Sequence, residues 1–137
     1  MAIEVRGMTP LVQVYDMPTS VRFYRDVLGF EVVSTSPKLG EDRFHWALLR
    51  LDDVELMLNT LYEFDDERPP EPDRARTAAH GDMGFFIGCP DVDAAYEELR
   101  GKIAGLEKPK VAPYGMKQLS LSDPDGYGLC FQWPAKG

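Results

Sequence analysis

The chain is poor in the residues that most often bind metals or form cross-links. Its 137 residues include only two cysteines, Cys89 and Cys130, and two histidines, His45 and His80. No CxxC pair occurs, which argues against a zinc knuckle and against a disulfide framework. No apolar run approaches the roughly 18 residues of a membrane span, and the N-terminus lacks the features of a signal peptide. We therefore expect a cytoplasmic protein without a membrane partner.

Positive charge is also scarce. Fifteen Lys and Arg residues stand against 23 Asp and Glu residues, which gives a formal net charge of −8 at pH 7. Nucleic acids and anionic membranes bind clustered basic residues, so we expect neither as a partner, whereas a cationic ligand stays compatible with the charge. The hydrophobic content of 44%, with 11% aromatic residues, is enough to pack one domain.

Two halves of the chain repeat one order of elements. The stretch "LVQVYDMPTSVRFYRDVLGFEVV" predicts strand, helix and strand, with Asp16 as the helix N-cap and Gly29 as the C-cap; "RFHWALLRL" and "VELMLNT" predict two longer strands. From "GFFIGCP" the order recurs, through the helical "DVDAAYEELRGKI" to the strands "KPKVAP", "MKQLSLS" and "YGLCFQW". An offset of 75 residues places Val12 on Ile87 and Leu56 on Phe131. The sequence thus predicts one α+β domain of two tandem βαβββ modules, at about 8–60 and 82–134.

An acidic, proline-rich stretch at about 61–81 separates the modules. Its sequence, "LYEFDDERPPEPDRARTAAHG", is too polar to form a core. Stretches of this length and composition are either disordered linkers or functional loops. The second alternative is a lid, in which "EFDDERPPEPDRAR" and Tyr114 close over a ligand.

The alternation of each strand divides its residues between two faces. The more apolar face should pack against the helices and form the core. The members of this predicted core are Val12, Val14, Ala47, Leu49, Val54, Leu56, Leu58, Phe85, Ile87, Leu119, Leu121, Leu129, Phe131 and Trp133.

The opposite face mixes apolar, aromatic and polar side chains, a composition typical of a ligand cavity. In the alternative interpretation, the two sheets close on each other and these residues fill a second core. The ligand-binding candidates on this face, together with Tyr114 beside it, are Thr9, Leu11, Gln13, Trp46, Leu48, Arg50, Glu55, Met57, Asn59, Phe86, Gln118, Ser120, Cys130 and Gln132.

The chain resembles the vicinal oxygen chelate superfamily, which includes glyoxalase I, extradiol dioxygenases and the fosfomycin and bleomycin resistance proteins. The paired modules, "VYDMPTSVRFYRDVLGFEVV" and the terminal "DPDGYGLCF" carry the resemblance, which spans about Thr9 to Trp133. It implies a curved mixed sheet around a cleft and a homodimer. These motifs are specific to the fold and not to one reaction.

Metal-using members of this superfamily hold a cation with four inward side chains of His, Glu or Gln. By position, the resemblance places those ligands at Thr9, Glu55, Gly84 and Cys130. An open catalytic metal site needs about three protein ligands, and of these four residues only Glu55 is of the expected type. We therefore expect no cofactor and disfavour a divalent metal. In the remaining metal alternative, Glu55 and Cys130 form a zinc pair with a histidine, although neither His45 nor His80 is well placed.

Two functions of different classes remain. The first is a binding protein similar to the metal-free bleomycin resistance branch, in which Trp46 and Phe86 stack on a drug or metabolite of aromatic or cationic character. The second is a lyase, isomerase or dioxygenase of the same superfamily, using either a metal or Glu55 as general base with a pKa raised by an apolar cavity. A reactive Cys130 is disfavoured, because no activating neighbour can be identified from the sequence.

Overall fold

The fold consists of two β-sheet modules joined by a partly helical connection. A computed structural model describes residues 2–62 and 64–136. The first module contains β1 (Leu11–Val14), α1 (Met17–Val21) with a π-helical continuation (Arg22–Val27), β2 (Glu31–Thr35), β3 (Trp46–Leu51) and β4 (Val54–Thr60). A 3-10 turn (Asp65–Glu67) and α2 (Arg74–His80) follow. The second module contains β5 (Gly84–Gly88), α3 (Val92–Leu99), β6 (Lys110–Val111), β7 (Met116–Ser122) and β8 (Gly128–Pro134).

The helix ends follow local sequence rules. The Asp16 carboxylate accepts a hydrogen bond from the Thr19 backbone N–H at 3.1 Å and caps α1, and Asp91 caps α3 in the same way. Gly29 has φ +91° just after the first helical segment, a conformation that favours glycine. The predicted caps Asp16 and Gly29 are therefore confirmed.

Each module forms a four-stranded mixed sheet. The strand orders are β1-β4-β3-β2 and β5-β8-β7-β6, with β1 parallel to β4 and β5 parallel to β8. The other neighbouring strands are antiparallel. This equivalence confirms the predicted α+β fold of two tandem modules. Among the described residues, no helix is long and apolar enough to cross a bilayer.

The strand register differs between the modules by two residues. Leu11 pairs with Met57 in the first sheet, so an offset of 75 would pair Phe86 with Gln132 in the second. The structure instead pairs Phe86 with Cys130. A shift of two residues keeps every side chain on the same face, because side chains alternate with a period of two. The hydrophobic pattern therefore cannot detect this shift.

Most of the predicted core is buried. Ten of its fourteen members are buried, namely Val12, Val14, Ala47, Leu49, Leu56, Leu58, Leu119, Leu121, Leu129 and Phe131. Val54, Phe85 and Ile87 are half-buried against them. The prediction for Trp133 is wrong, since this side chain is 45% exposed. It lies near the end of β8, where it borders an open groove of about 400 Å³ together with Pro90 and Val92 at the start of α3.

The connection between the modules contains a helix and contacts both modules. Residues 74–80 form α2, capped by Asp73, although the sequence predicted no helix there. The ring of His80 stacks on Tyr127 with centroids 4.0 Å apart, and the Tyr15 hydroxyl donates to the Pro69 carbonyl. These contacts attach the connection to the junction between the modules. Glu63, the first residue of the predicted lid, lies outside the described residues.

Candidate functional site

The sheet face opposite the buried core carries the candidate binding residues, and we call it the open face. Phe86 is 62% exposed and Leu11 is 44% exposed. Trp46, Leu48 and Met57 are half-buried on the same face, and Thr9 is half-buried just before β1. Large apolar side chains in such number are unusual on a water-exposed sheet, so the face is suited to contact a ligand or another protein surface.

On the first sheet, amides and one ion pair lie beside these apolar residues. The side chains of Gln13 and Asn59 approach to 3.3 Å, and Asn59 is paired in register with Trp46. Arg50 Nη2 lies 3.7 Å from Glu55 Oε2 across β3 and β4. This half of the open face therefore combines hydrogen-bonding groups with a balanced pair of charges.

On the second sheet, the polar candidate groups are uncharged, although Lys110 on β6 is paired in register with Gln118. Gln118 Nε2 lies 2.7 Å from the Tyr114 hydroxyl and 3.0 Å from Gln132 Oε1, and it donates to both. Ser120 is exposed and is paired in register with Cys130, which in turn is paired with Phe86. Within residues 2–62 and 64–136, no hydrogen bond or ion pair connects the candidates of one sheet with those of the other. The candidates thus form two clusters.

The four positions that correspond to the superfamily's metal ligands do not fit a metal. Thr9 offers a hydroxyl, Gly84 has no side chain, and the Glu55 carboxylate faces Arg50. Cys130 is paired in register with Phe86 and Ser120. Gly84 is paired with Gly128 and not with Cys130. In the part of the chain that the structure describes, no three His, Cys, Asp or Glu side chains form a metal-binding group. A catalytic cation requires more donors than this set supplies.

Cys130 is a buried thiol. Its side chain is 8% exposed and belongs to no disulfide, as is also true of the half-buried Cys89. Burial raises the pKa of the Cys130 thiol, which disfavours the thiolate that a nucleophile needs. The two histidines lie elsewhere: His45 Nδ1 is 3.3 Å from Thr60 Oγ1, and His80 Nδ1 is 2.7 Å from the Asp125 carbonyl.

A buried polar network joins the modules, and sequence reasoning did not identify it. The turn Asp123–Gly126 of the second module lies against β1 and α1 of the first. The Asp123 carboxylate accepts from the Tyr24 hydroxyl at 2.7 Å and from the backbone N–H groups of Asp125 and Tyr127 at 2.9 Å. The Asp125 carboxylate accepts from the Tyr15 backbone N–H at 2.8 Å and from the Ser20 hydroxyl at 3.2 Å.

Burial raises the pKa of both Asp123 and Asp125, although their hydrogen bonds oppose this effect. The pKa of Tyr24 is also raised, by burial and by the nearby Asp123 carboxylate. We conclude that the "DPDG" turn has a structural role here: it holds the two modules together. The sequence contains the "DPDG" motif, but it does not show which groups of the first module this turn contacts.

The same network reaches the open face through β1. The Gln13 backbone N–H donates to the Tyr127 hydroxyl at 3.3 Å, beside the bond from Tyr15 to Asp125. Both N–H groups lie on the edge of β1 that points away from β4, so the second module covers this edge. The corresponding edge of β5 has no such cover: among the described residues, the backbone N–H groups of Phe86 and Gly88 on that edge have no partner.

A family model matches almost the whole chain. The model for the glyoxalase/bleomycin resistance protein/dioxygenase superfamily matches residues 8–131. This span contains the first module, the second module up to Phe131 in β8, and every candidate on the open face except Gln132.

Solved structures show the same fold. One is a glyoxalase/bleomycin resistance protein/dioxygenase from Nocardioides, with 21% identity, a TM-score of 0.68 and coverage of 99% of this chain and 88% of that one. A second is TnmS3, an antibiotic-binding protein from Streptomyces sp. CB03234, with 24% identity, a TM-score of 0.67 and coverage of 98% and 99%. A third is the bleomycin-binding protein of Streptomyces verticillus in complex with copper(II)-bleomycin, with 22% identity, a TM-score of 0.63 and coverage of 98% and 99%.

Proposed function

Since the chain belongs to the glyoxalase/bleomycin resistance protein/dioxygenase superfamily, we propose that it binds and sequesters a small molecule without using a catalytic metal. The ligand is a drug or metabolite with aromatic or cationic character. The observation that carries this proposal is the open face, which presents the exposed ring of Phe86 and the half-buried ring of Trp46 beside four side-chain amides.

Aromatic rings and amides suit a large, flat ligand with several polar groups. Phe86 and Trp46 supply stacking surfaces, and stacking of this kind is worth about 0.5–1.5 kcal/mol beyond the buried area. The Glu55 carboxylate lies at the first sheet, where it can meet a cationic group. Two structural neighbours bind antibiotics by their descriptions, TnmS3 and the bleomycin-binding protein, which supports the same class of ligand for this chain.

We further propose a homodimer in which the partner subunit covers part of the open face. The β5 edge supports this proposal, because it consists of the uncharged residues Gly84–Gly88 and the described residues offer no partner to the backbone N–H groups of Phe86 and Gly88. Edge strands in proteins that stay monomeric usually carry charges, prolines or bulges, and β5 has none of these. The two free thiols, Cys89 and Cys130, suit a cytoplasmic location.

Native mass spectrometry with metal analysis tests the proposal on protein purified without chelators or added metals. We expect no stoichiometric divalent ion, a mass of two chains, and a bound organic molecule if the natural ligand survives purification. A stoichiometric divalent ion would contradict the metal-free assignment and would require assays for glyoxalase or dioxygenase chemistry. A monomer at concentrations of tens of micromolar would contradict the dimer.

A further inference from the structure

The outer edge of the second sheet is covered along only part of its length. β6 is two residues long and pairs only with Lys117 and Gln118 of β7. β7 continues through residues 119–122, and among the described residues no strand lies beside this part of it. We call residues 119–122 the β7 edge. It borders a groove of about 440 Å³, a volume within the usual range for binding sites.

Two hydrogen bonds show which backbone groups of β7 point out of the sheet. The Met116 carbonyl accepts from the residue that follows β6, and the Asp123 N–H donates to the residue that precedes β8. Backbone groups of a strand alternate between its two sides, so the even-numbered residues of β7 face the β6 side. The N–H and C=O groups of Ser120 and Ser122 therefore point into the groove, where none of the described residues pairs with them.

The first module shows what covers the equivalent edge. Ser120 lies in register with Phe86 across β8. Leu48 lies in register with Leu11 across β4 in the same way. Since Leu11 and Phe86 are equivalent in the 75-residue repeat, residues 47–50 of β3 correspond to the β7 edge. The antiparallel strand β2 pairs with all four of those residues. The groove thus occupies the place that a strand fills in the first module.

The groove is lined by both apolar and charged residues. Ile103 and Leu106, from the segment after α3, border it and also pack against the hydrophobic core. The charged lining residues are Lys108, Lys110 and Glu107, and Lys110 Nζ lies 3.0 Å from the Glu107 carboxylate. Lys108 has no partner among the described residues. The groove therefore carries one unpaired positive charge beside an apolar wall.

We propose that the β7 edge binds an extended peptide segment of a partner protein, which adds to the second sheet as an antiparallel strand. The backbone of this segment pairs with Ser120 and Ser122. Its inward side chains are apolar and contact Ile103 and Leu106, and an acidic side chain meets Lys108. In such strand addition, main-chain hydrogen bonds supply affinity and alternate side chains supply specificity. This site goes beyond the proposed small-molecule function of the open face and does not depend on it.

Hydrogen exchange of the full-length protein, followed by NMR, measures whether the edge is open. The amides of Ser120 and Ser122 should exchange quickly in the free protein, whereas those of Leu119 and Leu121, which face β8, should be protected. Protection of Ser120 and Ser122 in a dilute sample would overturn the proposal, since another part of the chain would then cover the edge. Protection that appears only at high protein concentration would also overturn it, because the occupant would then be a second copy.

The probe is the fluorescein-labelled peptide FEVVSTS, which copies residues 30–36 and so contains the β2 strand of the first module. Its binding, measured by fluorescence anisotropy, should slow the exchange of the Ser120 and Ser122 amides. The control peptide FEPVPTS lacks two backbone N–H groups and should bind at least about tenfold more weakly. Absence of binding by FEVVSTS at millimolar concentration would overturn the proposal.

Two pairs of variants locate the site. Ser120→Pro removes an N–H that points into the groove and leaves the bonds to β8 in place, so it should weaken the peptide about three- to tenfold. Ser120→Ala keeps that N–H and should bind like the unmodified protein. Lys108→Glu should weaken binding about two- to fivefold, whereas Lys38→Glu, an exposed change on the first module, should have no effect. Lys108 lies outside the sheet, so this pair tests the site even if Ser120→Pro destabilises the fold.

Equal affinities of Ser120→Pro and Ser120→Ala would overturn the strand pairing. Peptide binding that leaves the exchange of the Ser120 and Ser122 amides unchanged would also overturn it, because the peptide would then bind elsewhere. Equal affinities of Lys108→Glu and Lys38→Glu would overturn the preference for an acidic segment.

Discussion

Gly126, in the turn that joins the modules, has no room for a side chain. Its φ is +87°, and a Cβ added there would lie 2.5 Å from the Thr77 carbonyl oxygen and 3.1 Å from Thr77 Cγ2. Thr77 belongs to α2, so Gly126→Ala would push this helix away from the junction. The prediction tests whether the connection between the modules is held in place by the "DPDG" turn.

The size of the effect follows from two separate costs. Alanine at positive φ costs about 1–2 kcal/mol, and forcing an extra carbon into a packed contact costs typically 1–3 kcal/mol more. We expect Gly126→Ala to lower the free energy of unfolding by about 2–5 kcal/mol. Gly115→Ala is the matched control, because Gly115 has φ +91° but nothing within 4 Å of an added Cβ. Gly115→Ala should therefore lower the free energy of unfolding only by the backbone cost of about 1–2 kcal/mol.

Urea unfolding of both variants measures the difference, and limited proteolysis shows where it acts. Gly126→Ala should become more susceptible to cleavage within residues 61–81, whereas Gly115→Ala should not. Equal losses of unfolding free energy in both variants, with unchanged cleavage of that segment, would refute the docking of α2 against the turn.

Four further predictions follow from the junction, the thiols and Glu55. Tyr24→Phe should lower the unfolding free energy by about 1–3 kcal/mol, because the buried Asp123 carboxylate loses one of its three donors; a loss below about 0.5 kcal/mol would contradict its role. Burial raises the pKa of Asp123 above 3.8, so the folded state binds this proton more tightly than the unfolded state; the stability contributed is fully present below about pH 3.8 and is lost as pH rises through the folded pKa. Asp123→Asn should flatten that part of the profile of unfolding free energy against pH, and an unchanged slope would count against the shift. Burial raises the pKa of Cys89 and Cys130, so iodoacetamide should alkylate both more slowly than free cysteine at neutral pH, with Cys130 the slower by peptide mass mapping; rapid alkylation of Cys130 would instead indicate a nucleophile. Glu55→Gln should change affinity for an uncharged aromatic ligand by less than about fivefold, since the carboxylate is 38% exposed; retained affinity with lost turnover of a substrate would identify it as a general base.

Elements and faces could be predicted from the sequence because they depend on local rules. The cap at Asp16 and the alternation of Val12 and Val14 each need only a few neighbouring residues. The ligand-face candidates follow from the same alternation, and the structure places those on its strands on one side of the sheets. Their role in binding stays a prediction.

Long-range contacts could not be predicted in the same way. The two-residue difference in register leaves the alternation intact, so no sequence pattern reveals that Cys130 lies beside Phe86. Trp133 has the parity of a core residue, but it lies near the end of β8 at an open groove beside the start of α3, a position that its alternation does not reveal. The contacts of Tyr24 with Asp123 span 99 residues, a pairing that one sequence without relatives does not indicate.

The candidate residues on the two halves of the open face differ in charge, and this difference would give a bound ligand a direction. The first sheet carries the Arg50–Glu55 pair, whereas the hydrogen-bonded candidates Tyr114, Gln118 and Gln132 on the second sheet are uncharged. Two identical halves would accept an elongated molecule equally well in either orientation. A ligand bound across both sheets would place its ionic end at Arg50 and Glu55, so the same chemical groups joined in reverse order should bind more weakly.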